Sequence, residues 1–321
     1  MFGVWSMVYG VIGLALFCLA VKGYSGKRIS CVVRNTGDAL LFTFLRMIFC
    51  MLIGLVLIFA EGSVGFLRMD GTMFWICLLS GAANAALLVG WMLAVRKNSM
   101  VSVDVSTTLG SLLPAVLCAG LFSEALSIPK MFGFAIIIVA TLILAGKNQD
   151  KKSRSAVGAL LLLFAAISDG MCGFSQQLYK QYYTEAGSMT RDVLYPKTVY
   201  HFYTYVFSAL ILLLVLGAYW MFGGEKKRQS CERESVFGAV SPRVVLHIFG
   251  MAVCLFAANY FQTVATGDYG MSSQMLYPII KGGCLITSGL TAMLFFGEKL
   301  TVRRTCGLLT ALAGIVCMSI V

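Results

Sequence analysis

Apolar residues dominate this chain in long runs that do not alternate with polar ones. Runs of about 20 such residues, the length a helix needs to cross a ~30 Å hydrocarbon core, fall at 3–22, 38–60, 72–95, 100–122, 128–146, 156–179, 199–222, 243–266, 271–296 and 302–320. Strands of a membrane barrel would alternate over about ten residues, so the pattern predicts ten transmembrane helices. The chain also repeats itself. Leu121–Ala145 and Phe295–Ser319 match at Phe122/Phe296, Glu124/Glu298, Leu126/Leu300 and Gly133/Gly307, at an offset of 174. Ala82-Ala83-Asn84 recurs as Ala257-Ala258-Asn259 at an offset of 175. Self-similarity of this kind marks a duplicated architecture. Five spans per copy is an odd number, so each helix and its copy cross in opposite senses. The expected fold is therefore an all-α integral membrane protein of ten transmembrane helices in two inverted five-helix repeats, 1–146 and 156–321, joined by the basic linker 147–155.

Composition agrees with a lipid solvent: 59% of residues are apolar and 12% charged, against roughly 25% charged in soluble domains. The net charge of +11 resides in short loops, where it sets membrane orientation, and not in a patch that would bind nucleic acid. With the N-terminus outside, the inner loops hold 18 Lys and Arg and the outer loops 5, which predicts both termini outside. Of eleven Cys, most sit in apolar spans as small hydrophobes; the loop residues Cys31 and Cys231 would both face a reducing cytosol. The first segment lacks the basic start of a signal peptide and reads as a mature first helix. A multi-pass protein of the plasma membrane is expected.

Charge inside a span is costly, about 2.5 to 3.5 kcal/mol per residue at the bilayer centre, and must face protein or water. Four residues qualify: Arg46, Asp104, Asp169 and Lys281. At ~1.5 Å per residue, Arg46 lies ~12 Å into the second span and Lys281 ~15 Å into the ninth. Polar stripes at helical spacing accompany them. The ninth span carries Gln274, Tyr277, Lys281, Cys284 and Ser288; the fourth, Asp104, Thr108 and Ser111; the sixth, Asp169, Gly173 and Gln176. Asn259, Gln262, Thr263 and Thr266 mark the eighth, Thr43 and Arg46 the second, and His201, Thr204, Tyr205 and Ser208 the seventh. Candidate solute contacts are thus Arg46, Asn84, Thr108, Asp169, Gln176, Tyr205, Asn259, Gln262, Gln274, Tyr277 and Lys281, with Asp169 and Asp104 as candidate proton carriers. His201 and His247, near span starts, read as interfacial, and Glu124 and Glu298 as loop-closing residues. Pro278 and Gly282-Gly283 predict a weakened ninth helix beside Lys281. Spans five and ten carry small residues instead of a polar face (Gly133, Ala135, Ala140; Gly307, Ala311, Gly314), which suits close packing at the periphery or in a homodimer contact through these two helices. No H-E-x-x-H, phosphate loop or metal-ligand spacing is present, so neither an enzyme nor a cofactor or metal site is expected.

The blocks Phe122-Ser123-Glu124-Ala125-Leu126 and Phe296-Gly297-Glu298-Lys299-Leu300, with Gly133, Gly307, Pro114 and Arg46, resemble the drug/metabolite transporter superfamily, specifically its ten-helix EamA-like branch. The resemblance covers nearly the whole chain. It implies a secondary transporter, with export favoured, working by alternating access at a midplane cavity. Ten-helix members usually keep both termini in the cytoplasm, the reverse of the charge bias here. The polar inventory suits a small zwitterionic or anionic metabolite such as an amino acid or organic acid. The alternatives are a multidrug exporter of the same fold, which would carry a lone membrane carboxylate in an aromatic cage, and a lipid-linked sugar flippase, which would open sideways between basic residues.

Overall fold

The computed structural model describes residues 2–30, 32–33, 36–97, 100–122, 128–145, 156–185, 187, 189, 193–222, 241–296 and 302–319. Among them the chain forms α-helices and no strand: α1 (Phe2–Ser30), α2 (Thr36–Ala60), α3 (Gly71–Lys97), α4 (Met100–Gly110), α5 (Leu112–Phe122), α6 (Ile128–Ala145), α7 (Ala156–Tyr183), α8 (Lys197–Phe222), α9 (Pro242–Gly267), α10 (Ser273–Phe296) and α11 (Val302–Ser319). A 3-10 turn, Ser63–Leu67, links α2 to α3. Among the described residues seven helices, α1 to α3 and α7 to α10, are long and apolar enough to cross a membrane, and by length and composition they mark a membrane protein. Large apolar side chains such as Phe17, Phe59, Leu214 and Leu294 stand exposed on the outer faces, an arrangement suited to acyl chains as solvent and costly in water. Packing joins α3 to α7, α1 to α9, α2 to α8 and α6 to α11. The blocks holding Glu124 and Glu298, the linker 147–155 and the loop cysteines Cys31 and Cys231 lie outside the described residues.

Three local outcomes differ from the hydropathy reading. First, α1 does not end at residue 22 but continues through Lys22, Tyr24 and Lys27 to Ser30. Its last turns are too polar to read as a span, yet they stay packed: Ile29 is buried in a cluster with Val244 and Ile248 of α9, and Gly26 lies against the Trp91 ring of α3. Second, the fourth apolar run is two half-helices broken at Ser111. Pro114, in the first turn of α5, has no N–H to give to the Gly110 carbonyl. The Ser111 N–H turns back to the carbonyls of Thr107 and Thr108, both at 3.2 Å, and its hydroxyl donates to the Thr108 carbonyl at 2.6 Å. Third, the ninth run, expected to be weakened at Pro278, is one helix, α10, with Pro278 inside it, whereas the fourth run is the one that breaks.

Glycine makes the α4–α7 contact possible. A Cβ on Gly110 would lie 2.2 Å from the Ala166 carbonyl oxygen, and one on Gly170 would lie 2.5 Å from that of Gly110. The two helices therefore meet backbone to backbone. The small residues of α6 and α11 act within the chain: Ala140 and Ala311 are fully buried, and a Cβ on Gly314 would lie 2.9 Å from the Gly133 carbonyl.

Candidate functional site

A cavity of about 180 Å³ opens among α1, α2, α3, the α4–α5 break, α7, α8, α9 and α10. One end is lined by Lys27, Trp91, Met251 and Thr291, the other by Gln176, Tyr200, Gln262 and Tyr277. Lys281 of α10 and Asp169 of α7 meet in its wall: the ammonium donates to both carboxylate oxygens at 2.6 Å. Their side chains keep 20% and 11% of their exposure, so both are largely desolvated while still touching the cavity. Arg46 of α2 also lines it and is 3% exposed. Its Nε and Nη2 are buried with no hydrogen-bond acceptor. Among the described residues Arg46 forms no ion pair with a carboxylate.

The polar stripes converge as their spacing predicts, with exceptions. Asn84, Thr108, Asp169, Gln176, Asn259, Gln262, Tyr277 and Lys281 all reach the lining, as do Ser111, Cys284 and Ser288. Tyr277 donates to the Gly173 carbonyl at 2.7 Å and to Gln176 Oε1 at 3.1 Å, which ties α10 to α7 one turn from the ion pair. Tyr205 is not in the lining: fully buried in an apolar cluster, it accepts a hydrogen bond from Asn259 Nδ2 at 2.9 Å and so stands behind the wall. Ser208 is likewise behind it, accepting from Asn84 Nδ2 at 3.1 Å. The two duplicated asparagines both brace against α8 and both border the cavity. Thr43 bonds its own helix at Ala39, and Thr266 bonds the Gln262 carbonyl. The side chains of Asp104 and Gln274 fall outside what the structure describes.

Several lining residues are not evident from hydropathy. It falls at Lys22 and so places Lys22 and Lys27 in a loop, yet the continued α1 carries both to the cavity. Spacing contained the signal, since Lys22, Gly26 and Ile29 share one face of a continued helix. His201 is not interfacial: it is 1% exposed, lines the cavity, and its Nε2 lies 2.9 Å from the Thr263 hydroxyl. Tyr200, Ser80 and Thr204 form a hydroxyl chain beside it, at 2.9 and 3.1 Å.

Beyond the Tyr200 end, polar contacts tie the helix ends together. Asp70, ahead of α3, receives the Tyr183 hydroxyl on its two oxygens at 2.6 and 2.7 Å and accepts from the Met73 N–H at 2.8 Å. Tyr195 donates to the Arg68 carbonyl at 2.7 Å and accepts from the Asp70 N–H at 3.1 Å. Lys197 pairs with Asp268 at 2.6 Å, Thr198 donates to Glu61 at 2.7 Å, and Lys180 reaches the Met271 carbonyl at 3.3 Å. These contacts cross-link α2, α3, α7, α8, α9 and the start of α10 at one end of the bundle.

This architecture has a counterpart of known structure. A crystal structure of a protein superposes with a TM-score of 0.65 over 97% of this chain and 96% of the other, at 14% sequence identity. At that identity the likeness is one of fold. No family model matches the sequence, and no curated protein is significantly similar to it.

Proposed function

We propose that the chain is a secondary transporter of a small polar organic metabolite, anionic or zwitterionic, that works by alternating access in the plasma membrane. One observation carries this reading: a cavity walled by charged and polar side chains from seven long helices and one broken one, with the Asp70–Tyr183–Tyr195 network tying the helices together beyond one end. Broken helices and midplane polar sites recur in transporters built from inverted repeats.

Packing supports ten crossings in two inverted halves, with α4 and α5 counted as one. Exchanging the halves turns α1 into α7, α2 into α8, α3 into α9, α4–α5 into α10, and α6 into α11. The α3–α7 contact then becomes the α9–α1 contact, while α2–α8 and α6–α11 map onto themselves. The EamA-like resemblance points the same way. A multidrug exporter is disfavoured, because the lining holds four cations that would repel a lipophilic cation, and because about 180 Å³ is below the roughly 300–1,000 Å³ of pockets for drug-sized ligands.

The test is solute counterflow in proteoliposomes with a panel of amino acids, organic acids, phosphate esters and lipophilic cations. Saturable movement of a polar metabolite is expected. Folded protein that moves none of them, or only the lipophilic cations, would reject the proposal.

A further inference from the structure

Charge in the cavity wall does not balance. Among the described residues Lys22, Lys27, Arg46 and Lys281 line it, and Asp169 is the one carboxylate. Lys281 and Asp169 neutralise each other through two contacts of 2.6 Å. Lys22 lies within electrostatic range of Arg46, Lys281 and Asp169, and among the described residues neither Lys22 nor Arg46 forms an ion pair. Two like charges thus face one small space in a low-dielectric setting, where their repulsion is stronger than in water.

The unfilled groups on Arg46 are specific. Nε–H and the adjacent Nη2–H form the edge of the guanidinium that grips an oxyanion bidentately, and both are buried without an acceptor. Buried donors left unmatched cost a protein stability, and a buried charge without a counter-ion costs more. Among the described residues no acceptor reaches either atom.

Resting on the transporter reading, we infer that the solute is a small organic dianion whose oxyanion groups supply the missing acceptors, with Arg46 holding one group bidentately and Lys22 pairing with the other. Dicarboxylates and phosphate monoesters share this chemistry. The Lys281–Asp169 pair stays closed beneath the solute and closes the wall. Hydroxyl and amide groups of Ser111, Thr108 and Gln262 surround the uncharged middle of such a molecule. A zwitterion would place its ammonium among the cations of the wall with its one potential partner among the described residues, Asp169, already engaged.

The experiment is thermal stabilisation of the purified full-length protein in detergent, at fixed ionic strength, by succinate, glycerol 3-phosphate, glutamine and tetraethylammonium. Succinate, glycerol 3-phosphate or both should raise the melting temperature saturably, the pair telling carboxylate from phosphate. Arg46→Gln should weaken that binding roughly 10- to 100-fold, the range for one charged hydrogen-bonding partner, and Arg46→Lys should restore part of it. Because Arg46 is buried and its loss can compromise folding, Lys22→Gln, on a half-buried turn of α1, provides the second variant; it should weaken dianion binding at least threefold. Stabilisation by glutamine or tetraethylammonium alone, by none of the four, or by dianions equally in wild type and Lys22→Gln would overturn the inference. Counterflow separates the two claims: a transported zwitterion sinks the dianion and leaves the transporter, whereas dianions that bind and never cross sink the transporter and leave the site.

Discussion

Lys281→Ala removes one partner of the ion pair in the cavity wall and leaves Asp169 without its counter-charge. With Nζ 2.6 Å from each carboxylate oxygen, the attraction lost is about 6 kcal/mol at an effective dielectric of ~20 and about 1.6 kcal/mol in bulk water. Removing half of a fully buried pair costs about 3 to 5 kcal/mol. Here 20% and 11% exposure lets cavity water reach both groups, which places the expected cost near the low end, about 3 kcal/mol. At roughly 2 °C per kcal/mol, the shallow slope of larger proteins, the melting temperature should fall by about 6 °C. Asp169→Asn alone should cost a similar amount, since it strands the ammonium. The double variant should recover part of the loss, giving a coupling of the order of 2 kcal/mol. The assay is a four-member cycle of melting temperatures in one detergent, each protein first checked for insertion and monodispersity. Additive losses in the double variant, or a Lys281→Ala protein that melts like wild type, would refute the pairing argument.

Further outcomes follow from the geometry and from the loop charges. Gly170→Ala would push a Cβ to 2.5 Å from the Gly110 carbonyl and force α7 off α4, so an overpacking loss of about 1 to 3 kcal/mol should appear as a lower melting temperature, while Gly217→Ala, whose Cβ meets nothing within 4 Å, should be neutral. With Cys284 as the sole cysteine, a membrane-impermeant thiol reagent should label it from the side bearing Lys27 and Trp91 and be excluded from the side bearing Asp70. Tyr183→Phe, which removes the hydroxyl donated to Asp70, should admit label from that second side; if the charge bias of the loops sets orientation, the labelled side is the cytoplasmic one, and a cytoplasm-dependent reporter fused after Val321 should be dark.

Sequence alone determined what depends on local composition. Continuous apolarity has one stable outcome in lipid, a helix that satisfies its own backbone, so the helices fall where the apolar runs fall. Because a charge at that depth must avoid lipid, the inward facing of Arg46, Asp169 and Lys281 is legible from their positions in the chain, and periodicity draws Tyr277, Gln176, Asn259 and Gln262 to the same space. Tertiary structure decided what depends on neighbours. Hydropathy ends α1 at Lys22, because a helix end that packs on α3 and α9 and faces a polar cavity no longer needs to be apolar. The fourth run broke at Ser111, whereas α10 kept its continuity through Pro278. Tyr205 shares a stripe with His201 and Thr204, yet it sits behind Asn259, since a few tens of degrees of helix rotation move a residue from a cavity to a core. Nor could one-dimensional spacing say that Lys281 meets Asp169 while Arg46 meets no carboxylate among the described residues. That choice is made by the approach of α10 to α7, and by the seating of α7 on α4, which Gly110 and Gly170 permit by having no side chain in the way.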